Sequence, residues 1–239
     1  MERLTDRIAI LTGGTGALGS KVLKALLDEG AKAVCVYFRE DQLRDNISLL
    51  KDKDYKKRLM FLKADLTRDK QVEKIVTKTI DGFGGVDILI NVAGGFTYGK
   101  LLDTEVKTLD HMMNTNLKSA FIATKAVLPH MIKQNYGRIV NVSSRPALKG
   151  TKGLGAYAAS KAAVLNLTET TADEVMNYDI NVNAILPSTI DTPANRLDMP
   201  KADFAKWVKP EDIARVIIFL ISEDSRPITG AGIPVYGRA

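Results

Sequence analysis

Tyr157 and Lys161 are four residues apart, so on a helix they share one face. A free phenol titrates near 10, too high to exchange protons readily at neutral pH. A nearby ammonium favours the phenolate, which would make this tyrosine a usable acid or base. Read blandly, the pair is an exposed lysine beside a partly buried tyrosine. Two other polar groups precede it: Ser144, at the end of an expected strand, and Asn116, within the helical stretch "MMNTNLKSAF".

A second chemical feature is "LTGGTGALGS", residues 11–20. It parses as Gly14-x-Gly16-x-x-Gly19, the general dinucleotide fingerprint, or as Thr12-Gly13-x-x-Gly16-x-x-Gly19. In either parse a strand runs into glycines and then opens a helix, the context a pyrophosphate needs at a helix N-terminus. Without a ligand it is a tight strand-to-helix turn. NAD enzymes carry an acid about 20 residues beyond the glycines. Here Tyr37 and Phe38 stand in that region, followed by Arg39, a partner for a 2′-phosphate. The reading favours NADP(H) over NAD(H). It leaves open that Arg39 is a surface residue and that Glu40 or Asp41 reaches the ribose.

These groups need a scaffold. Apolar runs at 8–12, 33–38, 59–64, 87–91, 138–143, 181–186 and 233–236 read as strands, several with too little alternation to have a wet face. Helical patterns lie between them; in 18–29, Leu18, Val22, Leu23, Leu26 and Leu27 form one stripe, closed by Gly30. The alternation predicts an α/β fold with a doubly wound, Rossmann-like parallel sheet of about seven strands and helices on both faces. At 239 residues the chain reads as a single domain, 1–239. The proline-bearing connection 187–209 reads as irregular and as a substrate lid over about 188–209.

Composition narrows the function classes. Hydrophobic residues make up 45% and charged residues 26%, as in ordinary globular proteins. No apolar run approaches a membrane span and the N-terminus shows no signal peptide, so no membrane partner is expected and the cytoplasm is the default compartment. The lone Cys35 excludes an intramolecular disulfide and reads as a small core residue. With it and two histidines, His111 (helix surface) and His130 (helix end), no zinc set is expected, so no metal. The net charge of +6 invites a nucleic-acid reading, but the densest basic stretch, "KDKDYKKR" at 51–58, is interrupted by aspartates and reads as a solvated face. No nucleic-acid partner is expected; a basic chain also suits an anionic cofactor or substrate.

Taken in order, the Thr12–Gly19 loop, "ADL" with Asp65, "NVAGG" at 91–95, Asn116, Ser143–Ser144, Tyr157-x-x-x-Lys161, "LPSTIDT" at 186–192 and "ITGAGIPVYG" at 228–237 resemble the short-chain dehydrogenase/reductase family across essentially the whole chain. The resemblance implies that Tyr157 is the proton donor or base. Lys161 would lower its pKa and hold the nicotinamide ribose, Ser144 would bond the substrate oxygen, and Asn116 would position a water for Lys161. It implies a cofactor set of Gly13, Thr15, Gly16, Ala17, Leu18, Gly19, Arg39, Asp65, Leu66, Asn91, Ala93, Gly94, Tyr157, Lys161, Pro187, Ile190 and Thr192. Asp65 would meet the adenine, and Ile190 and Thr192 the carboxamide. Phe96, Tyr98, Pro146, Met199 and Phe204 are expected at a substrate pocket for a carbonyl or alcohol. A homotetramer or homodimer is implied by the resemblance alone.

The chain departs from the family pattern at Ala17, Val92, Ser188 and Tyr236, where glycine, asparagine, glycine and aspartate are usual. "GGTGALGS" and the lid segment are similar to dihydropteridine reductase. That leaves two alternatives beside a carbonyl reductase: a dihydropterin-reducing enzyme and a non-catalytic nucleotide sensor on the same fold.

Overall fold

The computed structural model describes residues 3–43 and 52–238; Lys51 of the basic stretch lies outside them. Seven parallel strands form one sheet: β1 Ile8–Thr12, β2 Lys32–Tyr37, β3 Leu59–Lys63, β4 Ile88–Asn91, β5 Gly137–Val142, β6 Ile180–Pro187 and β7 Gly232–Val235. Their spatial order is β3-β2-β1-β4-β5-β6-β7. The helices are α1 Ala17–Asp28, α2 Lys53–Arg58, α3 Asp69–Phe83, α4 Val106–Met112, α5 Ser119–Gln134, α6 Gly155–Glu174, α7 Pro193–Asp198 and α8 Pro210–Ile221. The doubly wound α/β expectation therefore holds, with strand and helix ends displaced by a residue at most positions.

Both faces of the sheet are covered, which explains the unbroken apolar runs. Ala9, Leu11, Ile88, Ile90, Val140 and Val142 face α1 and α8, whereas Ile10, Leu89 and Ile139 face α3 and α5. The α1 stripe (Leu18, Val22, Leu23, Leu26, Leu27) is buried against the side that α8 also covers. Each such side chain contributes roughly 1.5–3 kcal/mol. Gly30, at φ +88°, ends α1 in a conformation that side chains disfavour.

The strand order reverses between β1 and β4, so the loops after these two strands part and leave a crevice at the carboxyl end of the sheet. The connection 188–209, expected to be irregular, contains α7 and a 3-10 turn at Phe204–Lys206. Thr192 starts α7: its hydroxyl accepts from the Asn195 N–H at 3.2 Å, and Pro193 fits the first turn. No helix in the described residues is long and apolar enough to cross a membrane.

Candidate active site

The glycine loop follows β1 directly. Gly13 has φ +65°, and a Cβ there would lie 2.7 Å from the Ala93 nitrogen, so only glycine lets the β1 and β4 loops approach. A Cβ on Gly19 would run into the Gly13 carbonyl, whereas Gly14 packs against Cys35 and Leu11 in the core. The structure thus selects the Thr12-Gly13-x-x-Gly16-x-x-Gly19 parse. Gly16 caps α1 with no side-chain partner, and the first turn of α1 holds no acid. Uncapped N–H groups and a positive dipole end, open to a cleft, fit a pyrophosphate.

That cleft has a volume of about 2040 Å³, well above the roughly 300–1,000 Å³ of ordinary small-molecule sites. It runs from Gly13, Thr15, Gly16, Ala17, Leu18 and Gly19, past Asp65 and Leu66, to Ala93, Gly94, Ser144, Tyr157, Lys161, Pro187 and Ile190. Phe96, Tyr98, Pro146 and Met199 border its other end. The loop, the Ser144–Tyr157–Lys161 set and most of the expected pocket therefore open onto one cavity. Asp65 accepts from the Thr67 N–H and hydroxyl at 2.9 and 2.7 Å, which hold its carboxyl below the usual range.

Besides Asn116, four expected residues lie off the cleft lining. The Asn91 side chain is buried in the sheet, donating to Asn141 Oδ1 at 2.9 Å and to Thr124 Oγ1 at 3.4 Å, because its register partner Asn141 draws it sideways. Phe204 packs at a tilt against Trp207, ring centres 4.8 Å apart, beneath the Arg196 guanidinium and away from the cleft lining. Thr192 is occupied as the α7 cap, outside that lining. Arg39 is exposed and 3.4 Å from Asp41; Tyr37 and Phe38 border the cleft in its place. His111, expected on a helix surface, ends α4 on the cleft rim, and His130 lies within α5 rather than at its end.

Lys161 is held rigidly. Its Nζ donates to the Val142 carbonyl at 2.8 Å, and its own carbonyl accepts from Ser143 Oγ at 2.8 Å, so α6 is tied to the end of β5 at both points. Burial of the ammonium pushes its pKa down to about 8. Burial raises the Tyr157 phenol above its ordinary value, opposed by a hydrogen bond with Ser144. Phe96 packs edge-on against Tyr157 at 5.0 Å, a contact that helps fix the ring and that no sequence spacing indicates.

Asn116 sits in a wide π turn, Met113–Lys118, between α4 and α5, a feature frequent at functional sites. There its Oδ1 accepts from the Gly95 N–H at 2.8 Å, and its Nδ2 donates to Gly95 O at 3.2 Å and Ser160 Oγ at 2.9 Å. Ser160 in turn donates to the Tyr157 carbonyl at 2.7 Å. Asn116 thus joins the β4 loop to the tyrosine helix. It lies behind the cleft wall rather than on it, 1% exposed. Among the described residues no cluster of metal-ligating side chains occurs.

A short chain dehydrogenase family model matches residues 7–202. The 3-oxoacyl-(acyl-carrier-protein) reductase FabG of Thermotoga maritima is 32% identical over 244 residues, covering 98% of each chain. Among solved structures, ElxO with NADP bound superposes with a TM-score of 0.89 at 28% identity, covering 97% of both chains. NAD+-bound xylitol dehydrogenase gives 0.90 at 26% identity, covering 98% of this chain and 99% of the other.

Proposed function

The chain belongs to the short-chain dehydrogenase family and is an NAD(P)-dependent dehydrogenase or reductase; from that premise we propose that it reduces a carbonyl, or oxidises the corresponding alcohol, with Tyr157 as the acid/base and NADP(H) preferred. The observation that carries this reading is the convergence of Ser144, Tyr157 and Lys161 on the cleft that begins at the uncapped end of α1.

A bound nicotinamide cofactor supplies the hydride; the protein orients the reactants and manages one proton. Tyr157, raised by burial, holds its proton at neutral pH and gives it to the carbonyl oxygen as hydride arrives. The Ser144 hydroxyl bonds the same oxygen and fixes its distance from the phenol. Lys161 holds the cofactor ribose and supports the phenolate left behind. Asn116 sets the angle between the β4 loop and α6 and orders a water through which Lys161 regains its proton. Excluding bulk water from this pocket strengthens each of these polar interactions.

Two features support NADP(H): among the described residues no carboxylate from the end of β2 borders the cleft, and Arg68 lies on its lining beside Asp65, with Arg39 next in sequence to the lining residue Phe38. The exposed Leu101, Leu102, Val106 and Phe121 support a homotetramer or homodimer. Lid helix α7 and the pocket residues Phe96, Tyr98, Pro146 and Met199 complete the substrate end. The test is oxidation of NADPH and NADH across ketones, aldehydes, quinones, acyl thioesters and quinonoid dihydropterin. Turnover of carbonyls with NADPH supports the reading; turnover confined to dihydropterin replaces it.

A further inference from the structure

Two large aromatic side chains stand uncovered inside the cleft. Phe96 is 64% exposed and Tyr98 68% exposed, yet both line the cavity that also holds Tyr157. Aromatic rings carry some of the largest apolar areas of any side chain, so rings left wet in a concave site offer surface for a ligand to cover. Phe204 and Trp207, by contrast, cover one another.

Both exposed rings are held in place. They lie on the loop after β4, which is fastened to the start of α6. The Gly99 N–H donates to Gly153 O at 2.8 Å, and Gly99 pairs with Leu154 in a parallel bridge. The Ala158 N–H then donates to Leu154 O at 2.7 Å, in the turn that carries Tyr157. Gly153 has φ +78°, and a Cβ there would run into the Tyr98 ring, so the phenol lies against bare backbone. Phe96 meets the Tyr157 ring at 5.0 Å with the planes 68° apart. That contact uses only part of Phe96, and the rest of its ring opens onto the cleft. Aromatic surface thus runs from Tyr157 to the Gly153 turn, and Pro146, Leu154 and Met199 add apolar lining to the same cavity.

We infer that the substrate carries an aromatic ring within one or two bonds of its reacting carbonyl, and that Phe96 is the residue that selects it. This rests on the carbonyl-reductase reading and narrows it to aryl and arylalkyl carbonyl compounds. A carbonyl oxygen on the Tyr157 hydroxyl brings the adjoining group within reach of Phe96, because the two protein rings are already in contact. An aromatic group gains an offset or edge contact there, with ring centres roughly 4.5–7 Å apart, beyond the burial that an aliphatic group of the same size obtains. A cation would also favour exposed rings, but Lys149 and Lys152 line the same cavity and repel it.

Ketones matched in size test it: phenylacetone against cyclohexylacetone, in which a methylene insulates the carbonyl from the ring and keeps its reactivity alike. The phenyl ketone should have the higher kcat/KM, by about 2- to 10-fold. Phe96→Leu should level the pair and Phe96→Tyr should restore the preference. The ratio within each variant is the readout, because losing the Tyr157 contact slows both ketones alike. Phenylacetamide and cyclohexylacetamide give a second readout, independent of turnover: calorimetry on the NADPH complex should show the phenyl amide bound more tightly by a similar factor, and only with a ring at position 96. If neither ketone is turned over, the amides decide. A phenyl preference there supports the inference while the missing turnover counts against the reaction alone; equal binding overturns the inference. Equal kcat/KM for the two ketones, or a phenyl preference that survives Phe96→Leu, overturns it while leaving carbonyl reduction standing.

Discussion

Replacing Gly94 by alanine would place a methyl group 2.7 Å from Asn116 Oδ1 and 3.2 Å from Lys161 Nζ. Neither neighbour can yield freely. Asn116 is fully enclosed and holds Gly95 through two hydrogen bonds and Ser160 through a third. Lys161 is buried and tied to the Val142 carbonyl. Stretching those three Asn116 bonds, each worth about 1 kcal/mol net, costs about 1–3 kcal/mol in stability. For a chain of this size that lowers Tm by about 2–12 °C. Because the same displacement moves the tyrosine helix relative to the β4 loop, kcat/KM should fall about 100-fold, the usual cost of an ångström-scale misplacement. Differential scanning fluorimetry and NADPH oxidation measure the two effects. Gly155→Ala is the control, since a Cβ there meets nothing within 4 Å at the start of α6; it should be neutral or stabilise by up to about 1 kcal/mol. Wild-type stability and turnover in Gly94→Ala would refute the packing argument.

Three further outcomes are expected. Lys161 titrates at about 8 in the native state against 10.5 when free, so between those values the unfolded chain holds a proton the native chain lacks, and stability rises with pH across that window. Lys161→Met removes the rise; denaturant titrations from about pH 7 to about pH 10.5 should show wild type gaining up to about 3 kcal/mol on the variant, and a constant difference would refute the assignment. Cys35 is fully buried in β2 with its thiol pushed up to about 12, so a thiol reagent should label it only on unfolding; rapid labelling of native protein would show the β2 core to be open. Arg39→Asp should shift the NADPH-to-NADH ratio of kcat/KM toward NADH by about 5- to 10-fold, modest because Arg39 is exposed; an unchanged ratio would move the 2′-phosphate contact elsewhere, Arg68 being next on the cleft rim.

The strands were legible because a sheet covered on both faces has no reason to alternate, and α1 because its leucines repeat at the helical period. The order of Ser144, Tyr157 and Lys161 along the chain was enough to bring them to one cleft. Other features depend on contacts that periodicity does not encode. Asn91 resembles a strand-end ligand in sequence, and only its register with Asn141 shows that its amide is spent inside the sheet. Phe204 looks like a pocket aromatic until Trp207, three residues on, takes it. The π turn holding Asn116 leaves no trace in residue spacing. Helix α7 did leave one: Thr192 followed by Pro193 is a start signal inside the segment expected to be irregular.

The most direct test of Tyr157 as the acid/base is NADPH-dependent reduction of a carbonyl by Tyr157→Phe, with cofactor binding followed by fluorescence in the same samples. Removing the hydroxyl while keeping the ring against Phe96 should cut turnover by about 100-fold or more and leave NADPH binding largely intact. Turnover at the wild-type rate would contradict the assignment.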